Sequence, residues 1–109
     1  MPYDQDLAQR IRKIIGDAPG LTEKEMFGGV GFLLHGNMAC GVHKDRLIVR
    51  VGPANHEQAL AAPHARPFDI TGRPMKGWVM VEAGGFAAEK SLREWVRMGV
   101  EFARTLPPK

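Results

Sequence analysis

The stretch from Thr22 to Val51 limits the fold more than any other part of the chain. Three runs suited to strands follow one another there: Val30 to Leu34, Met38 to Val42 and Arg46 to Val51. Only His35-Gly36-Asn37 and Lys44-Asp45 separate them, and Gly and Asn tolerate the positive φ that tight turns require. Runs spaced this closely read as an antiparallel meander. The last of them is rich in β-branched residues, which suit a pleated sheet. Upstream, Glu23, Glu25 and Phe27 alternate with Thr22, Lys24 and Met26, which predicts a half-exposed first strand. Downstream, Gly52-Pro53 breaks the meander and can open a helix with proline at its first position. A short alanine-rich helix is expected from His56 to Ala62, ended by Pro63 and Pro67. Phe68 to Ile70 and Trp78 to Glu82 read as two more strands around a Gly72-Arg73-Pro74 turn, and Gly84-Gly85 closes the sheet region.

Two amphipathic helices flank this sheet in sequence. The first runs from about Asp4 to Ile15, with Asp4 as its cap. Leu7, Ile11, Ile14 and Ile15 mark its buried stripe, while Arg10, Arg12 and Lys13 lie on the other side near the end that favours cations. Gly16 and Pro19-Gly20 stop it. The second is expected to start at Ser91, where Ser91 and Glu94 have the spacing of a capping box. Leu92, Trp95, Val96, Gly99, Val100 and Ala103 form its apolar face, opposite Arg93, Arg97, Glu101 and Arg104. Arg97 and Glu101 are spaced for an ion pair, and Pro107-Pro108 ends the helix. Helix stripes and sheet faces must bury each other. The expected fold class is therefore α+β in two layers. An antiparallel sheet of about five to six strands is flanked by an N-terminal helix, a short middle helix and a long C-terminal helix.

At 109 residues the chain reads as one domain, 1–109, with an expected radius of gyration of about 13 Å. Hydrophobic residues at 44% and charged residues at 25% are ordinary globular values and exclude disorder. Lys and Arg number 15 against 12 Asp and Glu, a formal charge of +3. The charges are interleaved, whereas nucleic-acid binders gather basic residues on one face or stripe. Direct nucleic-acid binding is not the expected role. The single cysteine, Cys40, cannot form an internal disulfide, so nothing points to an oxidising compartment. The start, Met1 to Asp6, is acidic and lacks the apolar core of a signal peptide. No apolar run approaches the roughly 20 residues of a membrane span. The expected location is cytoplasmic, away from membranes.

Few residues suggest chemistry. Met26-Phe27-Gly28-Gly29-Val30-Gly31 is glycine-rich, but a phosphate cradle needs a helix after it, and Phe32-Leu33-Leu34 reads as strand. A bulge or sharp corner is the expected role. His35, His43, His56 and His64 lack metal-ligand spacing and are expected in exposed loops or on helix surfaces. Cys40 sits in a strand with His43 at an odd separation, on the opposite sheet face, so it reads as a core residue rather than a nucleophile. Arg66, Arg73 and Lys76 fall in one segment with Trp78, and Arg50 is expected near them. Such a basic loop beside an aromatic ring can bind an anion, a nucleic-acid strand or an acidic partner.

A wider pattern runs through these pieces. It comprises Met26-Phe27-Gly28-Gly29 with Gly31, then Gly36-Asn37-Met38, then Leu47-Ile48-Val49-Arg50. Pro67-Phe68, Gly72-Arg73-Pro74-Met75-Lys76, and Leu92 with Trp95 complete it. In this order they resemble the N-terminal domain of the TfoX (Sxy) family, over most of the chain from about Met26 to Ala103. The resemblance implies a two-layer α+β fold, in agreement with the reading above. It also implies a regulatory role, since members with this domain regulate natural competence by helping a CRP-type activator at its promoters. It carries over no catalytic residue. The full-length regulators add a second, helical domain, and this chain ends at Lys109 without it, so a stand-alone member is expected.

The expected function is a small regulatory protein-interaction module, with no enzymatic activity, cofactor or bound metal. Its candidate surface is Arg50, Arg66, Arg73, Lys76 and Trp78. Met26, Phe27, Gly28, Gly29, Gly31, Gly36, Pro67, Phe68, Gly72 and Trp95 are structural positions of the family pattern. By resemblance the partner is a protein of the transcription machinery or a CRP-type activator. Two other classes remain open: a small-ligand binder or enzyme with a cleft beside Gly28-Gly29, and a direct nucleic-acid binder. A homodimer through an exposed sheet edge or the Trp95 helix also remains open.

Overall fold

The computed structural model describes residues 3–16, 19–26, 28–68 and 75–108. Helix α1 spans Gln5–Ile15. The Asp4 carboxylate accepts the Leu7 N–H at 3.1 Å, which satisfies one of the free donors of the first turn. Gly16 ends the helix in a left-handed conformation, φ 64°, and its N–H donates to the Arg12 carbonyl.

The sheet has six strands: β1 Leu21–Met26, β2 Gly29–Leu34, β3 Asn37–His43, β4 Arg46–Arg50, β5 Ala65–Pro67 and β6 Trp78–Val81. Their order is β1-β2-β3-β4-β6-β5, and every neighbouring pair is antiparallel. His35 and Gly36 turn between β2 and β3 with φ of 51° and 87°. Two consecutive positive φ values match the twist of a tight hairpin. Helix α2, His56–Leu60, follows a 3-10 turn at Pro53–Asn55, and α3, Glu89–Arg104, follows another at Ala83–Gly85. Among the described residues no helix is long and apolar enough to cross a membrane.

Strand alternation sends two residue sets to opposite faces. Phe32, Cys40, Val42, Leu47, Val49, Val79 and Val81 meet Leu7 and Ile11 of α1 and Leu92, Trp95 and Val96 of α3 in one core. The register shifts between Phe32 and Leu33, which pair with Cys40 and Met38, so Ala39 is an extra residue in β3. Such a bulge bends the strand locally. Gly99 of α3 lies on this spot, and a Cβ there would collide with the Ala39 carbonyl. The helix therefore packs on the sheet by backbone approach. The radius of gyration, 12.5 Å, fits a single compact unit.

Several local expectations need correction. Thr22 to Glu25 are all exposed, so β1 is open on both faces rather than half-exposed. It lies at the sheet margin, and Arg12 of α1 reaches it through paired hydrogen bonds of 2.9 Å to the Glu23 carboxylate. The fifth strand is Ala65–Pro67, not Phe68 to Ile70; Phe68 is outside any strand, and residues 69–70 lie outside the described residues. Proline lacks a donor but is tolerated on an edge strand, so Pro67 did not break it. Helix α2 stops at Leu60, short of Ala62. The capping box does not form. Helix α3 starts at Glu89, the Leu92 N–H donates to the Ala88 carbonyl, and Ser91 sits inside the first turn. Among the described residues the ion pair along this helix joins Glu89 and Arg93 at 3.8 Å, not Arg97 and Glu101.

Candidate functional site

The face of the sheet turned away from α1 and α3 carries the candidate residues. On β4, Leu47 and Val49 enter the core, so Ile48 and Arg50 point the other way. Across the ladder Arg50 pairs with Trp78 and Ile48 with Met80. Ile48, Phe68 and Met80 form a small second cluster, with Met38 and Trp78 against it. The Phe68 and Trp78 rings lie 5.8 Å apart, tilted by 36°.

Arg50 is the centre of this region. Its guanidinium lies 5.2 Å from the Trp78 ring and 5.4 Å from the Phe102 ring of α3. Both distances are within cation–π range. Among the described residues it has no carboxylate at ion-pair distance. The segment leading into Trp78 is pinned. The Val51 and Gly52 N–H groups donate to the Gly77 carbonyl at 2.8 and 3.0 Å. The Gly77 N–H donates to His56 Nδ1 at 2.9 Å. The Trp78 N–H donates to the Met75 carbonyl, and the Met75 N–H to the Phe68 carbonyl. Lys76 and Met75 are exposed at the tip of this turn.

The other candidates divide. Arg66 faces the same side, pairing with Met80 in the register, but its charge is answered by Glu82 at 3.2 Å. Arg73 and Gly72 lie outside the described residues, as does Phe27. Phe102 belongs to the site and was missed. It sits one position off the predicted apolar stripe, and an aromatic residue next to a stripe was the available signal.

The remaining motif residues serve the fold. Met26 and Gly29 close the β1–β2 ladder. Gly28 turns between them with φ 73°, and a Cβ on Gly29 would collide with the Val42 carbonyl. Strand β2 follows at once, so the glycine corner does not open into a helix of its own, as a phosphate cradle would need. Gly31 pairs with Gly41, and Trp95 is a core residue. Cys40 is fully buried, and desolvation pushes its thiol up to about 12, so it is no thiolate at neutral pH. Not all histidines are exposed, contrary to expectation. His56 is half-buried and accepts the Gly77 bond, and His43 Nδ1 is buried without a hydrogen-bond partner among the described residues.

The family model of the TfoX N-terminal domain matches residues 13–103. The chain belongs to this family. No curated protein and no solved structure matches it significantly. The TfoX match begins within α1 and ends within α3, so it takes in the whole sheet, Arg50, Trp78 and Phe102.

Proposed function

We propose that this TfoX-type domain is a regulatory protein-interaction module of the cytoplasm, without enzymatic activity, and that the half-exposed Arg50–Trp78 end of its far sheet face docks an acidic segment of a partner protein. The observation that supports this is Arg50 held between Trp78 and Phe102. Two ring contacts limit the rotamers of the guanidinium, and a carboxylate that meets its N–H groups would form paired hydrogen bonds. Lys76 adds a second cation, and the partly buried Met38 and the exposed Met75 add apolar surface. Arginine and aromatic residues are the usual anchors of protein interfaces. A nucleic-acid strand is less favoured, because Trp78 is already engaged by Arg50 and Phe68, and base stacking needs a bare ring. The competence regulators of the family make a transcription protein the first partner to seek.

Affinity capture from a nuclease-treated lysate of the host, read by mass spectrometry, tests this. The wild type is expected to enrich a transcription protein in a salt-sensitive way, and the Arg50→Ala/Lys76→Ala variant to lose it. Unchanged capture by the variant removes the surface. Recovery of the bait alone removes the function.

A further inference from the structure

A groove of about 740 Å³ opens on the helix side of the molecule, between α2, the Ala83–Gly85 turn and α3. Neither Arg50 nor Trp78 is among its lining residues. Its volume is in the range of small-molecule sites. We propose that it binds a small organic cation, a protonated amine carried on a flat apolar ring.

Charge gives the class of ligand. The chain has 15 Lys and Arg, yet none lines this groove, and Glu94 is the one carboxylate there. Among the described residues Glu94 has no ion pair. The second groove along α3, about 350 Å³ against α1, has the opposite character, with Arg93, Arg97 and Arg104 in its walls. One helix thus separates an arginine-rich groove from one whose only formal charge is negative. The helix dipole does not reverse this, since Glu94 lies beyond the first turn, where the effect has faded.

Shape gives the rest. Trp95 and Met98 follow Glu94 in the lining; the largely buried indole contributes a small aromatic surface and Met98 an adaptable thioether. Asn55 and Gln58 bring carboxamides from the facing wall. The third wall is built by two local irregularities that fit together. Ala62 to Ala65 form a turn closed by a 3.2 Å hydrogen bond. Its second and third residues are Pro63 and His64, and His64 has φ 69°. Glycine normally holds that third position. The imidazole occupies the space beside Gly84, where a Cβ would stand 2.5 Å from the ring, and a Cβ on Gly85 would stand 3.1 Å from His64 Cβ. A left-handed non-glycine residue seated on a glycine pair is the kind of strain that persists at binding sites.

The test is a heteronuclear NMR titration of the full chain with tryptamine and, separately, with indole-3-acetate, which carries the opposite charge on the same ring. Tryptamine is expected to saturate shifts at the Trp95 indole N–H and the Gly84 and Gly85 amides, and to bind at least about tenfold tighter than the acetate. The exposed substitution Glu94→Gln is expected to erase that preference while leaving the spectrum folded and the Trp78 indole unmoved. Equal binding of both compounds, a preference that survives Glu94→Gln, shifts confined to other regions, or no saturable shift with either compound at millimolar concentration would each overturn the proposal.

Discussion

The two faces of the sheet are made by the same strands and have opposite physics. Along β4, Leu47 and Val49 are fully enclosed beneath the helices, while Arg46, Ile48 and Arg50 alternate with them on the far side. The helix-side face holds hydrocarbon and one thiol. The far face mixes an apolar cluster with guanidinium and ammonium groups. Stability is concentrated on the first face, and the proposed docking surface lies on the second, so substitutions on the two should separate cleanly in their effects.

The strongest way to break that contrast is Phe32→Ala. Phe32 is fully buried at the centre of the core, and its loss should cost about 3–5 kcal/mol in denaturant unfolding. That is a large share of the roughly 5–15 kcal/mol that holds a small domain together. Next comes Gly99→Val, which must lift α3 from the Ala39 carbonyl. Overpacking of this kind costs about 1–3 kcal/mol, and Gly99→Ala should cost less than Gly99→Val. Replacing the Asp4 cap by Ala should cost about 1 kcal/mol. On the far face Arg50→Ala should lower stability by less than about 1 kcal/mol while abolishing partner capture. Arg66→Ala, which removes an exposed ion pair with Glu82, should change stability by about 0.5 kcal/mol or less.

Cys40 sharpens the contrast through pH. Burial raises its thiol from 9.0 to about 12, so the unfolded chain gives up this proton before the folded chain does. The stability linked to Cys40 is complete below pH 9 and is lost as pH rises toward about 12. Wild type and Cys40→Ala should therefore differ by a constant amount from pH 6 to 8 and converge above pH 9 in parallel denaturant titrations. A thiol reagent at pH 8 should label the protein only on unfolding.

Much of this architecture was legible because the signals were local. His35-Gly36-Asn37 and Lys44-Asp45 announced the hairpins, and the stripes from Leu7 to Ile11 and from Leu92 to Ala103 announced the covering helices. What stayed hidden depended on distant partners. Ala65–Pro67 is a strand because β6 lies beside it, and no propensity at Pro67 could say so. Ser91 and Glu94 had capping spacing, but the backbone of Ala88 closed the first turn earlier. Arg50 was expected near the basic segment that leads into Trp78, and its guanidinium lies 5.2 Å from that ring. Phe102 joins them only because α3 crosses the end of β4, which is a property of the assembled layers. The groove beside Gly84-Gly85 was equally invisible, because α2 and α3, which build it, are far apart in sequence.

The bare margin at β1 has a consequence for how copies of this chain meet. A two-fold axis that zips β1 onto its own copy keeps each residue on its face, so the pairing is symmetric about one residue. Centred on Lys24, ammonium meets ammonium, and Glu23 meets Glu25. Centred on Glu23 or Glu25, carboxylate meets carboxylate. Directly opposed like charges destabilise a strand pair, and charged edges keep sheets from adding to one another. The three central registers of self-pairing are thus disfavoured, while a foreign strand with the opposite alternation of charge would find β1 complementary.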